Sequence, residues 1–92
     1  ALDKVSFEMI ELNKKEEAVE AYKKAAATFV EDENNSSEYL FRAALLLEST
    51  GKTAEALELY KEIKNKFPKT DKGFQADKYI YRLSNEKNDL AE

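Results

Sequence analysis

Residues Ser36 to Pro68 read S-S-E-Y-L-F-R-A-A-L-L-L-E-S-T-G-K-T-A-E-A-L-E-L-Y-K-E-I-K-N-K-F-P. Leu40, Ala43, Ala44 and Leu47 recur at i, i+3, i+4 and i+7, which lines one face of an α-helix. Asn35 followed three residues later by Glu38 predicts a capping box at its start. Gly51 fits the left-handed position that commonly ends a helix. Thr53 is then the expected cap of a second helix, with Ala56, Leu59, Tyr60, Ile63 and Phe67 on its inner face. Pro68 closes that helix, because the residue before a proline is pushed out of the α region. Helices joined by a turn as short as Thr50-Gly51-Lys52 lie antiparallel.

Small residues stand where the two helices cross. Ala43 and Ala44 on the first, and Ala54 and Ala56 on the second, leave room for Leu47 and Tyr60. This pattern of small and large positions resembles the tetratricopeptide repeat, and 36–68 covers close to one full unit. The matching residues are Ala44, Gly51, Ala56, Tyr60 and Pro68; the departures are Leu40, where the family often has tryptophan, and Ile63, where it usually has alanine. The resemblance implies an all-α fold of antiparallel hairpins stacked as a short right-handed solenoid. It also implies a role in holding other proteins.

Weaker copies flank the central unit. Asn13 with Glu16 is the expected cap of a helix running through Ala18, Val19, Tyr22, Ala25, Ala26 and Phe29 to about Val30. Leu2, Val5, Met9 and Leu12 form a helical face before it, so 1–32 reads as a degenerate hairpin without the turn glycine or the closing proline. An offset of 38 residues separates Ala18 from Ala56 and Tyr22 from Tyr60. That exceeds the usual repeat of about 34 residues, and the polar run Glu31 to Asn35 is the natural place for the excess. After Pro68, Thr70 caps a last helix over about 70–90, with Phe74, Ala76, Tyr79, Ile80, Leu83 and Leu90 as its apolar residues. Tyr79 and Tyr81 straddle it, so at most one of them is core. The segment from Phe67-Pro68 to Ala76 resembles repeat proteins of the bacterial envelope. The whole chain, 1–92, is thus expected to be one domain of five helices, the last acting as a cap. It is further expected to be a piece of a longer bacterial protein, either envelope-associated or cytoplasmic.

Composition narrows the function. The 92 residues carry a net charge of −4, with 15 basic and 19 acidic side chains interleaved, and contain no cysteine or histidine. A nucleic-acid grip needs a basic stripe, which is missing. Without Cys or His there is no thiolate metal site, no disulfide and no imidazole base. Glycine-rich phosphate loops and nucleophile elbows are absent as well. The acidic run Glu31 to Asn35 lacks the alternating ligands and central glycine of an EF-hand. The expectation is therefore a non-enzyme without cofactor or metal. No stretch approaches the roughly 20 apolar residues of a membrane span.

In the stacked array that the resemblance implies, the first helix of each hairpin lines the concave face. Outside the core set on 36–49, Glu38, Phe41, Leu45 and Glu48 step by 3, 4 and 3 and share a stripe. On the first helix the counterpart is Asp3, Phe7 and Ile10, with Glu11 beside them. The candidate partner-binding residues are thus Phe7, Ile10, Glu38, Phe41, Leu45 and Glu48. They form an apolar strip flanked by acids, suited to an amphipathic helix or an extended peptide with basic residues. Two other readings of the same residues stand beside it. Phe7, Phe41 and Leu45 would merely pack against neighbouring helices, or the chain would be a spacer or self-association segment using the face of its N-terminal helix.

Overall fold

The computed structural model describes the backbone from Leu2 to Ala91 and the side chains of residues 13–85. Among these residues the chain forms four helices: α1 (Leu2–Thr28), α2 (Glu33–Ser49), α3 (Thr53–Lys66) and α4 (Asp71–Ala91). α1 packs on α2, α2 on α3, and α3 on α4, while α2 also meets α4 directly. α1 and α3 thus lie on one side and α2 and α4 on the other, in keeping with the stacked antiparallel array that the resemblance implies.

The expected break at Asn13 does not form, and Leu2–Thr28 is a single helix. Five expected helices become four. The physical reason lies in Asn13-Lys14-Lys15-Glu16-Glu17, which holds no glycine or proline. One asparagine inside a helix costs only about half a kcal/mol, and nothing upstream forces the chain out of the α region. At its other end α1 stops sooner than its apolar series suggests. Phe29 lies in the turn and is 55% exposed.

The cap of α2 also differs from expectation. Asp32, not Asn35, is the N-cap; its carboxylate accepts from the Asn35 amide N–H at 3.3 Å and from Asn35 Nδ2 at 2.7 Å. The acidic run is therefore mostly the first turn of a helix, with Glu33 where the helix dipole favours a negative charge. Ser36, buried one turn on, donates its hydroxyl to the Ala26 carbonyl at 2.8 Å. That carbonyl belongs to the last turn of α1 and has lost its helical partner, so one buried serine ties two helices together.

The Gly51 turn forms as the sequence predicts. Gly51 has φ +82°, its N–H donates to Glu48 O at 3.0 Å, and the Lys52 N–H donates to Leu47 O at 2.8 Å. These two bonds are a Schellman motif, which satisfies the carbonyls left open at the end of α2. Thr53 does not cap α3; it is the first helical residue, and Lys52 stands at the N-cap without a side-chain bond. Thr70 does cap α4, accepting from the Gly73 N–H at 3.0 Å and donating to Phe67 O at 2.8 Å.

The core runs through the crossing of these helices. Ala43, Ala44, Ala56, Tyr60, Ile63 and Ala76 are fully buried, with Leu40, Leu47, Leu59, Phe67 and Leu83 nearly so. The alanines bring the helix backbones close, and Tyr60 fills the space they leave. Its ring stacks on Tyr79 at 5.1 Å and meets Phe41 edge-on at 5.7 Å. Phe41 also meets Tyr79 at 5.3 Å. One aromatic from each of α2, α3 and α4 therefore locks the three helices, each such pair adding about 0.5–1.5 kcal/mol beyond the area it buries.

Candidate interaction surface

α2 carries four of the candidate binding residues, and the structure separates them. Phe41 is 5% exposed, inside the aromatic trio, so it does not line an open face. Lys72 lies over its ring, 4.7 Å from the centroid. Leu45 is 40% exposed and stays at the surface. Phe41 is drawn in because α2 meets α1, α3 and α4 at once. A helix with three neighbours buries a wider arc than the single stripe of Leu40, Ala43, Ala44 and Leu47.

The two acids are each occupied. Glu38 accepts from Arg42 Nη2 at 2.9 Å, one helical turn away. This bond is the main reason the Arg42 guanidinium holds its proton more tightly than usual, with Tyr22 second. Glu48 accepts from the Tyr60 hydroxyl and from Arg82 Nη2 at 2.7 Å. Arg82 in turn lies 4.6 Å above the Tyr79 ring. Burial first, and the Glu48 carboxylate second, push the Tyr60 phenol well above its ordinary value near 10. Glu48 thus works as a structural acceptor that joins α2, α3 and α4. The acidic flank expected on this face is compensated from within the molecule.

What remains open on α2 is the line Glu38, Arg42, Leu45 and Ser49, bordered by Tyr39 on one side and Lys72 on the other. Tyr39 is half-buried and stacks on Tyr22 of α1 at 6.2 Å. Phe7 and Ile10 lie outside the residues whose side chains are described. The sequence stripe missed Arg42, Tyr39 and Lys72. Arg42 was legible in the sequence, standing four residues after Glu38 on a helix. The approach of Lys72 to Phe41 depends on the α2–α4 contact, which no local pattern encodes.

Other exposed apolar groups lie elsewhere. Phe29 and Val30 sit at the α1–α2 turn, beside a groove of about 340 Å³ between α1 and α3, floored by Leu40 and Leu59 and edged by Lys23 and Lys66. Phe74 and Tyr81 stand on the outer face of α4, 65% and 72% exposed. Among the described residues no three acidic side chains gather as metal ligands, and no helix is long and apolar enough to cross a membrane.

Comparison with known proteins gives one match. No curated protein and no solved structure matches the chain, but residues 38–70 match the family model described as Tetratricopeptide repeat. The matched stretch starts within α2, passes through the Gly51 turn and α3, and ends at the Thr70 cap. This agrees with the positions of Ala44, Gly51, Ala56, Tyr60 and Pro68. Residues 38–70 are thus similar to a tetratricopeptide repeat unit, set here between a long preceding helix and a following one.

Proposed function

We propose that this chain is a non-catalytic binding module that takes a peptide or partner helix on the side of the array formed by α2 and α4. The observation that carries the proposal is Leu45. A leucine 40% exposed in the middle of α2, with Arg42 one turn back and its ion-pair partner Glu38 two turns back, is an apolar anchor point set in polar surroundings. Interfaces of this kind draw most of their energy from a few such anchors, while the polar rim supplies fit. Since Glu38 and Glu48 already have cationic partners, the face offers little net charge to a ligand. Binding through it should therefore be mainly apolar and only weakly dependent on salt.

Selection from a displayed random peptide library against the folded chain, with affinities measured at two salt concentrations, tests this reading. Selected peptides should bind the wild type and lose at least tenfold in affinity to Leu45→Glu. They should bind Phe29→Glu, at the α1–α2 turn, unchanged. Peptides equally indifferent to Leu45→Glu, in a variant of unchanged helicity, would place binding elsewhere.

A further inference from the structure

The outer face of α4 can be compared, residue by residue, with the face of α2 that takes α3. In α2, Ser36, Tyr39, Ala43 and Leu46 are buried or half-buried at spacings of 3, 4 and 3; in α4, Gly73, Ala76, Ile80 and Leu83 repeat the same spacing and burial. That register sets Ser37, Leu40, Ala44 and Leu47 of α2 against Phe74, Asp77, Tyr81 and Ser84 of α4. The α2 residues are all buried in the core. On α4, Phe74 and Tyr81 are the two most exposed large apolar residues described, and Tyr81 borders an open cavity of about 470 Å³ together with Ile80 and Lys78. Bulk thus stands on α4 where α2 has serine and alanine.

α1 shows the reverse exchange. With Tyr22 aligned on Tyr60, its Ala18, Ala21 and Ala25 fall on Ala56, Leu59 and Ile63 of α3. The α3 residues are buried; Ala21 is exposed, and Ala18 and Ala25 are half-buried. Small residues therefore stand on α1 where α3 carries leucine and isoleucine. The two alterations match one another. Phe74 and Tyr81 are seven residues apart, as are Ala18 and Ala25, and two helical turns rise about 10.5 Å in either case.

We infer that α4 of one molecule docks antiparallel on α1 of a second copy, with Tyr81 seated near Ala18 and Ala21 and Phe74 near Ala25. Charge fits as well as shape. In this register Lys78, which stands between the two aromatics, comes opposite Ala21 with Glu17 one turn along, and neither charge has an ion-pair partner among the described residues. Topology agrees too. α1 lies in the layer of α3, so a second α1 placed after α4 keeps the two layers alternating across the junction. The contact is heterologous, so it builds open chains of increasing length rather than a closed dimer. It uses the two ends of the array and is independent of the Leu45 face.

Sedimentation of the folded chain over a hundredfold range of concentration, beside two blocked variants, tests the inference. Phe74→Glu with Tyr81→Glu closes the α4 end, and Ala21→Arg with Ala25→Arg closes the α1 end. The wild type should pass beyond the dimer as concentration rises. Each blocked variant should stay monomeric alone, and an equimolar mixture of the two should stop at a one-to-one heterodimer. A wild type that stays monomeric, a blocked variant that still forms chains, or a mixture that does not pair would overturn the inference. If the charged substitutions lower helicity, Phe74→Ala with Tyr81→Ala replaces them, and self-affinity undiminished by tenfold or more is then the overturning result.

Discussion

Gly73→Ala is the substitution for which local and tertiary arguments disagree in sign. Gly73 sits in the first turn of α4, where alanine is the better helix former by about 0.8–1.0 kcal/mol. Helix propensity alone therefore predicts a stabilised variant. In the fold, a Cβ at Gly73 would fall well inside 3.0 Å of the Phe67 carbonyl oxygen and 3.1 Å from the carbonyl carbons of Phe67 and Pro68. All three are backbone atoms. The Phe67 oxygen is also held by the Thr70 N–H at 3.2 Å and the Thr70 hydroxyl at 2.8 Å, so it cannot swing aside. Relief requires α4 to move off α3, which loosens the Thr70 cap, worth about 1 kcal/mol, and strains the packing by about 1–3 kcal/mol. The tertiary terms outweigh propensity, leaving a net loss of about 1–3 kcal/mol. Urea unfolding followed by far-ultraviolet ellipticity should show a lower midpoint with an unchanged slope. In a domain of this size Tm should fall by roughly 4–8 °C per kcal/mol. A midpoint equal to or above that of the wild type refutes the close approach of α4 to the end of α3. Gly51→Ala is the natural control: nothing lies within 4 Å of its Cβ, and its cost of about 1 kcal/mol comes from the left-handed backbone alone.

Phe41→Ala should cost about 3–5 kcal/mol, as expected for a buried aromatic, whereas Leu45→Ala should cost under about 1 kcal/mol; thermal melts of the pair check the placement of one inside and one outside. Glu48→Ala leaves the buried Tyr60 hydroxyl without its acceptor and should cost about 1–3 kcal/mol in denaturant. The phenol of Tyr60 is raised in the folded state, so its contribution is complete below the unfolded value near 10 and is lost as pH climbs beyond it. Stability should accordingly fall above about pH 10, and Tyr60→Phe, measured by the same titration, should lose less there. Ser36→Ala removes the α1–α2 tie and should cost about 1–2 kcal/mol, with the largest loss of amide-exchange protection in the last turn of α1.

Much of the fold was legible because its signals are local. The 3.6-residue period of Leu40 to Leu47 and Ala56 to Phe67, a glycine at the turn and a proline after the second helix each act within a few residues of where they stand. The match at 38–70 covers the stretch where those signals are densest. Where they thin out, local reading went astray. Asn13 resembles a cap but sits mid-helix, because a cap forms only if the chain upstream leaves the α region. Asp32 took the role expected of Asn35 through a side-chain bond that several nearby polar residues were equally able to make.

The candidate surface was less legible for a related reason. Spacing places Glu38, Phe41, Leu45 and Glu48 on one stripe, but it does not say how many neighbours that stripe has. α4 reaches across to α2, covers Phe41 with Tyr79 and Lys72, and brings Arg82 to Glu48. The sequence by itself determined that this chain is helical, where its central hairpin turns, and which small and large residues meet at the crossing. These follow from backbone preference and periodicity over a turn or two of helix. Only the tertiary structure decided that Phe41 is core, that Glu48 is a structural acceptor, and that Leu45, Phe74 and Tyr81 remain exposed. Burial is a property of the whole set of packed helices, and contacts between residues more than thirty apart along the chain, such as Glu48 and Arg82, are fixed by how those helices stack.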